Sequence, residues 1–132
     1  MNLNRLKKDL ILKNGIIVDP FNKNSFEGSL WIKNGRVAGI GDFEFPNKED
    51  AKVIDCTNKI ITHGFCDLHA HFRALGENDK EDFESGSRSA LSGGFTRVCV
   101  MPNTLPPIDS PELISYVKNE GSKTPVYVHP VG

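Results

Sequence analysis

The sequence has no long apolar run, no excess of charge of either sign and no closely spaced cysteines. Its 16 Lys and Arg against 17 Asp and Glu give a formal net charge of −1, which indicates neither a basic nucleic-acid surface nor an acidic tail. No apolar stretch approaches the roughly 20 residues of a membrane span. The N-terminus also lacks a signal-peptide core with a cleavage site. A globular protein in solution is therefore expected.

The cysteines are too few and too scattered for a disulfide framework. Cys56, Cys66 and Cys99 are an odd number and contain no C-x-x-C pair. Each lies in or beside an apolar run, where a reduced cysteine packs as a small hydrophobe. We therefore expect a reducing, cytoplasmic compartment.

The first sixty residues read as short strands and turns. Asn14-Gly15 and Asn34-Gly35 each separate two apolar runs, the strongest short signal for a hairpin, because both residues tolerate positive φ. Residues 53–55 and 60–62 add two further strands, and a polar loop is expected over 41–52. This pattern predicts a small β module over residues 1–62.

The pattern changes after Gly64 to strands alternating with helices. Strands are predicted at 65–71, 96–101 and 125–129, separated by helices over 79–92 and from Ser110 to Gly121. Asp79 is the predicted N-cap of the first helix, and Ser110 with Pro111 opens the second. Such βαβ units form a parallel sheet, and ligand groups collect at the carboxyl ends of its strands.

The most informative segment is Asp-Leu-His-Ala-His-Phe-Arg at residues 67–73. Side chains alternate along a strand, so Asp67, His69, His71 and Arg73 share one face. Two imidazoles held in this way suit Zn²⁺ or a similar divalent ion, and the guanidinium suits a carboxylate or phosphate. The residues alone equally allow two partly buried histidines at a strand edge, with Asp67 as a structural carboxylate.

Three further segments, together with this one, resemble a known family. Gly-Phe-Cys-Asp-Leu-His-Ala-His-Phe-Arg at 64–73 is similar to the first-strand signature of the cyclic amidohydrolases. Ser-Gly-Gly-Phe-Thr at 92–96 and Val-Met-Pro-Asn-Thr at 100–104 resemble the second signature of the dihydroorotases, and residues 106–110 continue the match. The N-terminal module resembles the small first domain of that superfamily.

The resemblance implies an α/β protein: the start of a (β/α)₈ TIM barrel, with about three strands in 63–132, after a small β-sandwich-like module in 1–62. It implies a zinc-dependent hydrolase of cyclic amides that reversibly cyclises N-carbamoyl-L-aspartate to dihydroorotate in pyrimidine synthesis. His69 and His71 would be ligands of one or two zinc ions. His71, Arg73 and Asn103 would bind substrate, the last two at its carboxylate.

Two departures limit what this chain is expected to do. The family often has Arg-Glu-Pro-Gly or Arg-Asp-Pro-Gly where this sequence has Arg73-Ala74-Leu75-Gly76. A complete barrel also needs roughly 250 residues, so the catalytic acid/base and the other metal ligands are expected beyond Gly132. His129 closes the third strand, where the family does not usually place a ligand. We therefore expect an N-terminal piece with little or no catalysis of its own.

Two other functions stay open. An allantoinase or hydantoinase would act on a neutral ring, which needs no guanidinium such as that of Arg73. A non-catalytic homologue would instead support a partner such as aspartate transcarbamoylase, although intact His69 and His71 speak against degeneration. The expected partners are a small-molecule substrate, with either a homo-oligomer or a transcarbamoylase complex, and neither nucleic acid nor membrane.

Overall fold

The computed structural model describes residues 9–42, 44 and 51–131. They divide into two compact units, one ending at His63 and the other beginning at Gly64. No helix in the described part of the chain is long and apolar enough to cross a membrane.

The N-terminal unit is one mixed five-stranded sheet. Its strands are β1 (Asp9–Asp19), β2 (Asn24–Lys33), β3 (Arg36–Gly41), β4 (Ala51–Asp55) and β5 (Ile60–Ile61). The order is β3-β2-β1-β4, and β5 also pairs with β1. Strands β1, β2 and β3 are antiparallel neighbours, whereas β4 and β5 both run parallel to β1.

The apolar core of this unit is small. Ile17, Cys56 and Ile61 form the buried cluster, against which Leu12, Phe26 and Leu30 pack. Residues 43 and 45–50 of the predicted loop are not described. A second layer, as in a sandwich, stays a prediction.

Only the second of the two predicted Asn-Gly hairpins is present. Asn34 and Gly35 both have positive φ, at 51° and 72°, and they join antiparallel β2 and β3, as a type I′ turn requires. At the first dipeptide only Asn14 has a positive φ, of 60°, and the register of β1 against β2 shifts there. The prediction of a hairpin at Asn14-Gly15 was therefore wrong, and the dipeptide forms a bulge.

The chain instead turns after Asp19. Its Oδ1 accepts hydrogen bonds from the backbone N–H groups of Phe21 and Asn22, at 3.0 and 3.1 Å. The hydrogen bonds from the Asn22 side chain and backbone, with that from Phe21, lower the pKa of Asp19. An Asp-Pro pair with asparagines soon after it, here Asn22 and Asn24, is a turn signal, and it outweighs the Asn-Gly pair that precedes it.

The second unit alternates strands and helices, as predicted. It contains β6 (Phe65–Ala70), α1 (Phe83–Ser92), β7 (Phe95–Val100), α2 (Pro111–Gly121) and β8 (Tyr127–Pro130). The strands form a parallel sheet in the order β6-β7-β8. The structure confirms the mixed α/β class, and completion of a barrel stays a prediction.

The helices cover one face of this sheet. The apolar core between the helices and the sheet contains the following buried residues: Phe72, Ala74, Phe83, Val98, Val100, Ile108, Val117, Val126 and Val128. Because alternate residues of a strand point to opposite faces, the residues between these valines on β7 and β8 face away from the helices.

Helix α1 begins later than predicted. Its N-cap is Asp82, whose Oδ1 accepts from the backbone N–H of Ser85 at 2.7 Å, while the Ser85 hydroxyl accepts from the backbone N–H of Asp82 at 3.0 Å. This reciprocal pair is a capping box, so the prediction of Asp79 as the cap was wrong. The predicted start of α2 is confirmed, because the Ser110 hydroxyl accepts from the N–H of Leu113 at 3.3 Å.

Candidate metal and substrate site

The two predicted strand ends meet at one rim of the parallel sheet. Strand β6 ends at Ala70 and β7 at Val100, and the N–H of Met101 donates to the carbonyl of Ala70 at 2.9 Å. Ala70 and Phe72 pack into the core beneath the helices. His69 and His71 alternate with them and are exposed.

His69 and His71 face one another through the same ring atom. Their Nε2 atoms are 3.1 Å apart, and the ring centroids are 5.0 Å apart with 61° between the planes. Two nitrogen ligands on one tetrahedral zinc, each about 2.0–2.1 Å from the ion, lie roughly 3.3 Å apart. The spacing of the two imidazoles therefore fits a shared zinc ion.

Asn103 defines which nitrogen of His71 can act as a ligand. Its Oδ1 lies 2.9 Å from Nδ1 of His71, and an amide oxygen can only accept, so the imidazole donates its Nδ1–H. In the neutral ring the lone pair is then on Nε2, the atom that faces His69. A hydrogen bond on the far nitrogen is the usual support of a metal-binding histidine.

The described residues supply only part of a metal site. They contain no group of three or more His, Cys, Asp or Glu side chains that could hold an ion, whereas a catalytic zinc takes three protein ligands and water. Asp67 has a backbone partner: its Oδ1 accepts from the N–H of His69 at 3.0 Å. This contact lies where the pairing of β6 with β7 is irregular, and it supports a structural role for Asp67.

His129 also has a neighbour of its own. Nη1 of Arg97 lies 3.3 Å from its Nε2, and a guanidinium only donates, so the ring nitrogen accepts. The same guanidinium lies 4.5 Å from the centroid of the Tyr127 ring. Arg97, Tyr127 and His129 therefore form a cation–π and hydrogen-bonded cluster.

A small cavity adjoins the histidines and contains the other predicted site residues. It has a volume of about 230 Å³ and is lined by His71, Phe72, Arg73, Leu75, Glu77, Asn103, Thr104 and Leu105. Ligand pockets are usually about 300–1,000 Å³, so this cavity is one wall of a site rather than a complete one. It nevertheless brings an imidazole, a guanidinium and an amide together, as the sequence predicted.

A carboxylate that the sequence analysis did not identify also lines this cavity. Oε2 of Glu77 lies 3.7 Å from Nη1 of Arg73, and its Oε1 is paired with Lys80. The hydrogen bond from Lys80, followed by the positive charges of Lys80 and Arg73, lowers the pKa of Glu77. An acid four residues after an arginine was the only signal in the sequence.

The turn after Arg73 has a conformation that the family's proline would not allow. Leu75 has a φ of 98°, whereas proline is fixed near −65°. The N–H of Leu75 donates to Oδ1 of Asn78 at 3.1 Å, and its carbonyl accepts from the N–H of Leu105 at 2.8 Å. Gly76 has a φ of 102°, and a Cβ there would lie 2.3 Å from the carbonyl oxygen of Leu105. The substituted residues therefore form a tight turn held against residues 103–105.

A larger cleft of about 410 Å³ lies in the N-terminal unit. Its lining contains two glycines, short polar side chains, the apolar side chain of Ile16 and two acids, Glu27 and Asp42. The described residues that line it include no histidine, cysteine, lysine or arginine. It therefore lacks the chemistry of the strand-end site.

The chain is similar to curated dihydroorotases and to a solved hydantoinase. A dihydroorotase from Solibacter usitatus is 40% identical over 93% of this chain, and one from Aquifex aeolicus is 41% identical over 82%. The chain spans only 28% and 25% of their lengths. The solved L-hydantoinase of Arthrobacter aurescens superposes with a TM-score of 0.71 at 26% identity, over 95% of this chain and 28% of its own.

The family model described as dihydro-orotase-like matches residues 58–130, more than half of the chain. The matched segment contains the strand-end histidines, Arg73 and Asn103. This chain belongs to the dihydro-orotase-like family.

Proposed function

We propose that the chain is the N-terminal part of a zinc-dependent dihydroorotase, which reversibly cyclises N-carbamoyl-L-aspartate to dihydroorotate in pyrimidine synthesis. The single observation that carries the proposal is the 3.1 Å approach of the His69 and His71 Nε2 atoms beside Asn103 and Arg73. Two metal-type ligands next to two carboxylate-binding groups suit a small anionic amide. The names of the curated relatives support the same reaction.

His69 and His71 would hold zinc, one or two ions per full-length subunit. The ion would polarise the amide carbonyl and make hydroxide available near neutral pH. Asn103 keeps Nδ1 of His71 protonated and so directs its Nε2 lone pair to the ion. The remaining ligands and the acid/base group would come from polypeptide beyond Gly132.

Arg73 and Asn103 would hold the substrate carboxylate, next to His71. A guanidinium binds a carboxylate through two parallel N–H donors. Because Oδ1 of Asn103 accepts from His71, its Nδ2 group carries the donors for an anion. These two residues would fix the ring so that its amide lies toward the histidines.

The two units would be the small first domain, residues 1–62, and the first βα units of a TIM barrel, residues 63–132. The exposed apolar surface of the sheet supports a continuing barrel: Leu68 on β6 is 73% exposed, whereas strands of parallel sheets are normally covered on both faces. The three cysteines are free thiols, which suits a reducing, cytoplasmic compartment.

A hydantoinase is the second candidate, and the structural similarity to the Arthrobacter enzyme is compatible with it. Its neutral ring would give Arg73 no carboxylate to bind. The test is turnover of dihydroorotate and of hydantoin by the full-length protein, with Arg73→Lys as the matched variant. Turnover of dihydroorotate that Arg73→Lys weakens mainly through KM supports the proposal. Turnover of hydantoin alone would reject it.

A non-catalytic homologue is distinguished by metal content and association. We expect the full-length protein to contain zinc and to be active alone, as a monomer or homo-oligomer. A metal-free, inactive protein that forms a complex with aspartate transcarbamoylase would support the third function instead. Residues 1–132 alone are expected to show no measurable hydrolysis of dihydroorotate.

A further inference from the structure

Arg73 has a carboxylate of its own chain beside it. Oε2 of Glu77 is 3.7 Å from Nη1 of Arg73, and both residues line the cavity that contains His71 and Asn103. A carboxylate of the chain and a ligand carboxylate would therefore use the same guanidinium.

The backbone holds Glu77 in this position. The N–H of Glu77 donates to the carbonyl of Arg73 at 3.2 Å, closing the turn between the two residues. A hydrogen bond from the N–H of Leu105 to the carbonyl of Leu75 stabilises this turn. The turn therefore places the Glu77 carboxylate beside the Arg73 guanidinium.

The two oxygens of Glu77 have different partners. Lys80 pairs with Oε1, which leaves Oε2 toward Arg73. At 3.7 Å this second contact is longer than the 2.7–3.2 Å of a hydrogen bond, and the side chains are 42% and 32% exposed. Loose, exposed pairs of this kind are weak and are screened by salt, so an incoming carboxylate can replace them.

We infer that Glu77 is a specificity-determining residue: it occupies Arg73 when the cavity is empty, and a ligand carboxylate must displace it. The inference rests on the proposed function, because it takes Arg73 as the carboxylate-binding group. It extends that function by making anion affinity depend on a residue of the chain that binds no ligand itself. Only ligands whose carboxylate makes more contacts with Arg73 than Glu77 does would enter readily.

The test follows the Nε–Hε signal of Arg73 in ¹H–¹⁵N spectra of the 132-residue chain, assigned by its absence in Arg73→Lys. Succinate is the probe, titrated at low ionic strength. Glu77→Gln keeps the shape and the backbone hydrogen bond but removes the charge, and we expect it to bind succinate about two- to five-fold more tightly. Added salt should reduce this difference.

Glu84→Gln is the matched control. Glu84 also pairs with an arginine four residues away, Arg88, with Oε1 at 2.6 Å from its Nε, but it lies on α1 and does not line the cavity. The Glu84→Gln variant removes the same charge and should leave the affinity for succinate unchanged. Glu77→Ala, with its fold checked by circular dichroism, should reproduce the gain of Glu77→Gln.

Unchanged or weaker succinate binding in Glu77→Gln would overturn the inference, as would an Arg73 signal that responds in neither protein. An equal gain in Glu84→Gln would also overturn it, since the effect would then be one of net charge. A gain limited to the Glu77 variants supports it. If that gain is found but the full-length protein does not turn over dihydroorotate, the inference stands and the proposed function fails.

Discussion

Oδ1 of Asn103 lies 2.9 Å from Nδ1 of His71 and joins the residues that follow β7 to those that follow β6. The contact fixes the imidazole tautomer as well as the ring orientation. Asn103 therefore acts on the proposed metal site through His71, in addition to its proposed contact with substrate.

We predict that Asn103→Leu lowers the zinc affinity of the chain about tenfold or more, the usual effect of removing such a support. Leucine keeps the volume but cannot accept the Nδ1–H of His71. Zinc affinity is measured by competition with a chromophoric chelator. Asn103→Asp, which still accepts, should bind zinc at least as well as the parent.

Two controls define the result for Asn103. His69→Ala should remove the specific binding, and Asn119→Leu on the exposed part of α2 should leave it unchanged. Equal zinc affinities for the parent and Asn103→Leu would show that the hydrogen bond does not support a ligand.

Helix α1 should depend on Asp82 and should respond to acid through it. The hydrogen bonds from the backbone and hydroxyl of Ser85 lower the pKa of Asp82. A carboxyl whose pKa is lowered in the folded state stabilises the fold at any pH above its pKa in the unfolded chain. That contribution is lost as the pH falls below about 4. Urea unfolding between pH 7 and pH 3 should therefore show a smaller loss of stability in acid for Asp82→Asn, which caps without ionising.

Asp79 provides the comparison, because it was the cap that the sequence predicted. Asp82→Ala should destabilise the chain at neutral pH, whereas Asp79→Ala should not, because only Asp82 accepts the capping hydrogen bonds of α1. An effect of Asp79→Ala as large as that of Asp82→Ala would move the start of α1 back to the predicted residue.

The cap and the hairpins show which parts of the fold depend on more than a local pattern. Asp79 and Asp82 both precede an apolar helix face, and the choice between them is made by Ser85, three residues after Asp82. Asn14-Gly15 and Asn34-Gly35 are identical dipeptides. At the first, the N–H of Cys56 donates to the carbonyl of Lys13 at 2.7 Å and that of Ile16 to the carbonyl of Lys59 at 2.9 Å. These long-range bonds keep β1 extended, and no local pattern contains them.

The candidate site was more accessible to prediction than the turns. The carboxyl ends of adjacent parallel strands meet, so a histidine motif closing one strand and an amide following the next were expected to be neighbours. Glu77 was missed because its position depends on the turn at Leu75 and Gly76, where positive φ brings the chain back over Arg73. A leucine gives no sequence signal for positive φ.

We predict that Gly86→Ala destabilises the chain although alanine is the better helix former. A Cβ at Gly86 would lie 2.8 and 2.9 Å from two carbons of the buried Phe72 ring. Overpacking of this kind costs about 1–3 kcal/mol, against a gain in helix propensity of about 1 kcal/mol. Urea unfolding should therefore show a net loss of about 1 kcal/mol.

Because Phe72 lies between His71 and Arg73, a displaced ring should also weaken zinc binding by the chain. Gly93→Ala is the control: its Cβ would have ordinary contacts of 3.4 Å and longer, and its φ is −84°. It should change stability by less than about 0.5 kcal/mol. Stabilisation by Gly86→Ala would mean that the Phe72 ring can shift without loss of stability and that its packing does not require Gly86.

We predict that Ser87→Ala stabilises the chain by about 1 kcal/mol. Ser87 is fully buried on α1, and its hydroxyl has no hydrogen-bond partner among the described residues. A buried unsatisfied polar group costs about 1–3 kcal/mol, and alanine removes it with little change in volume. Ser89→Ala, on the exposed side of the same helix, gains only the small propensity term. Urea unfolding of the two variants separates these contributions, because a gain in Ser87→Ala no larger than that in Ser89→Ala would mean that the buried hydroxyl carries no penalty.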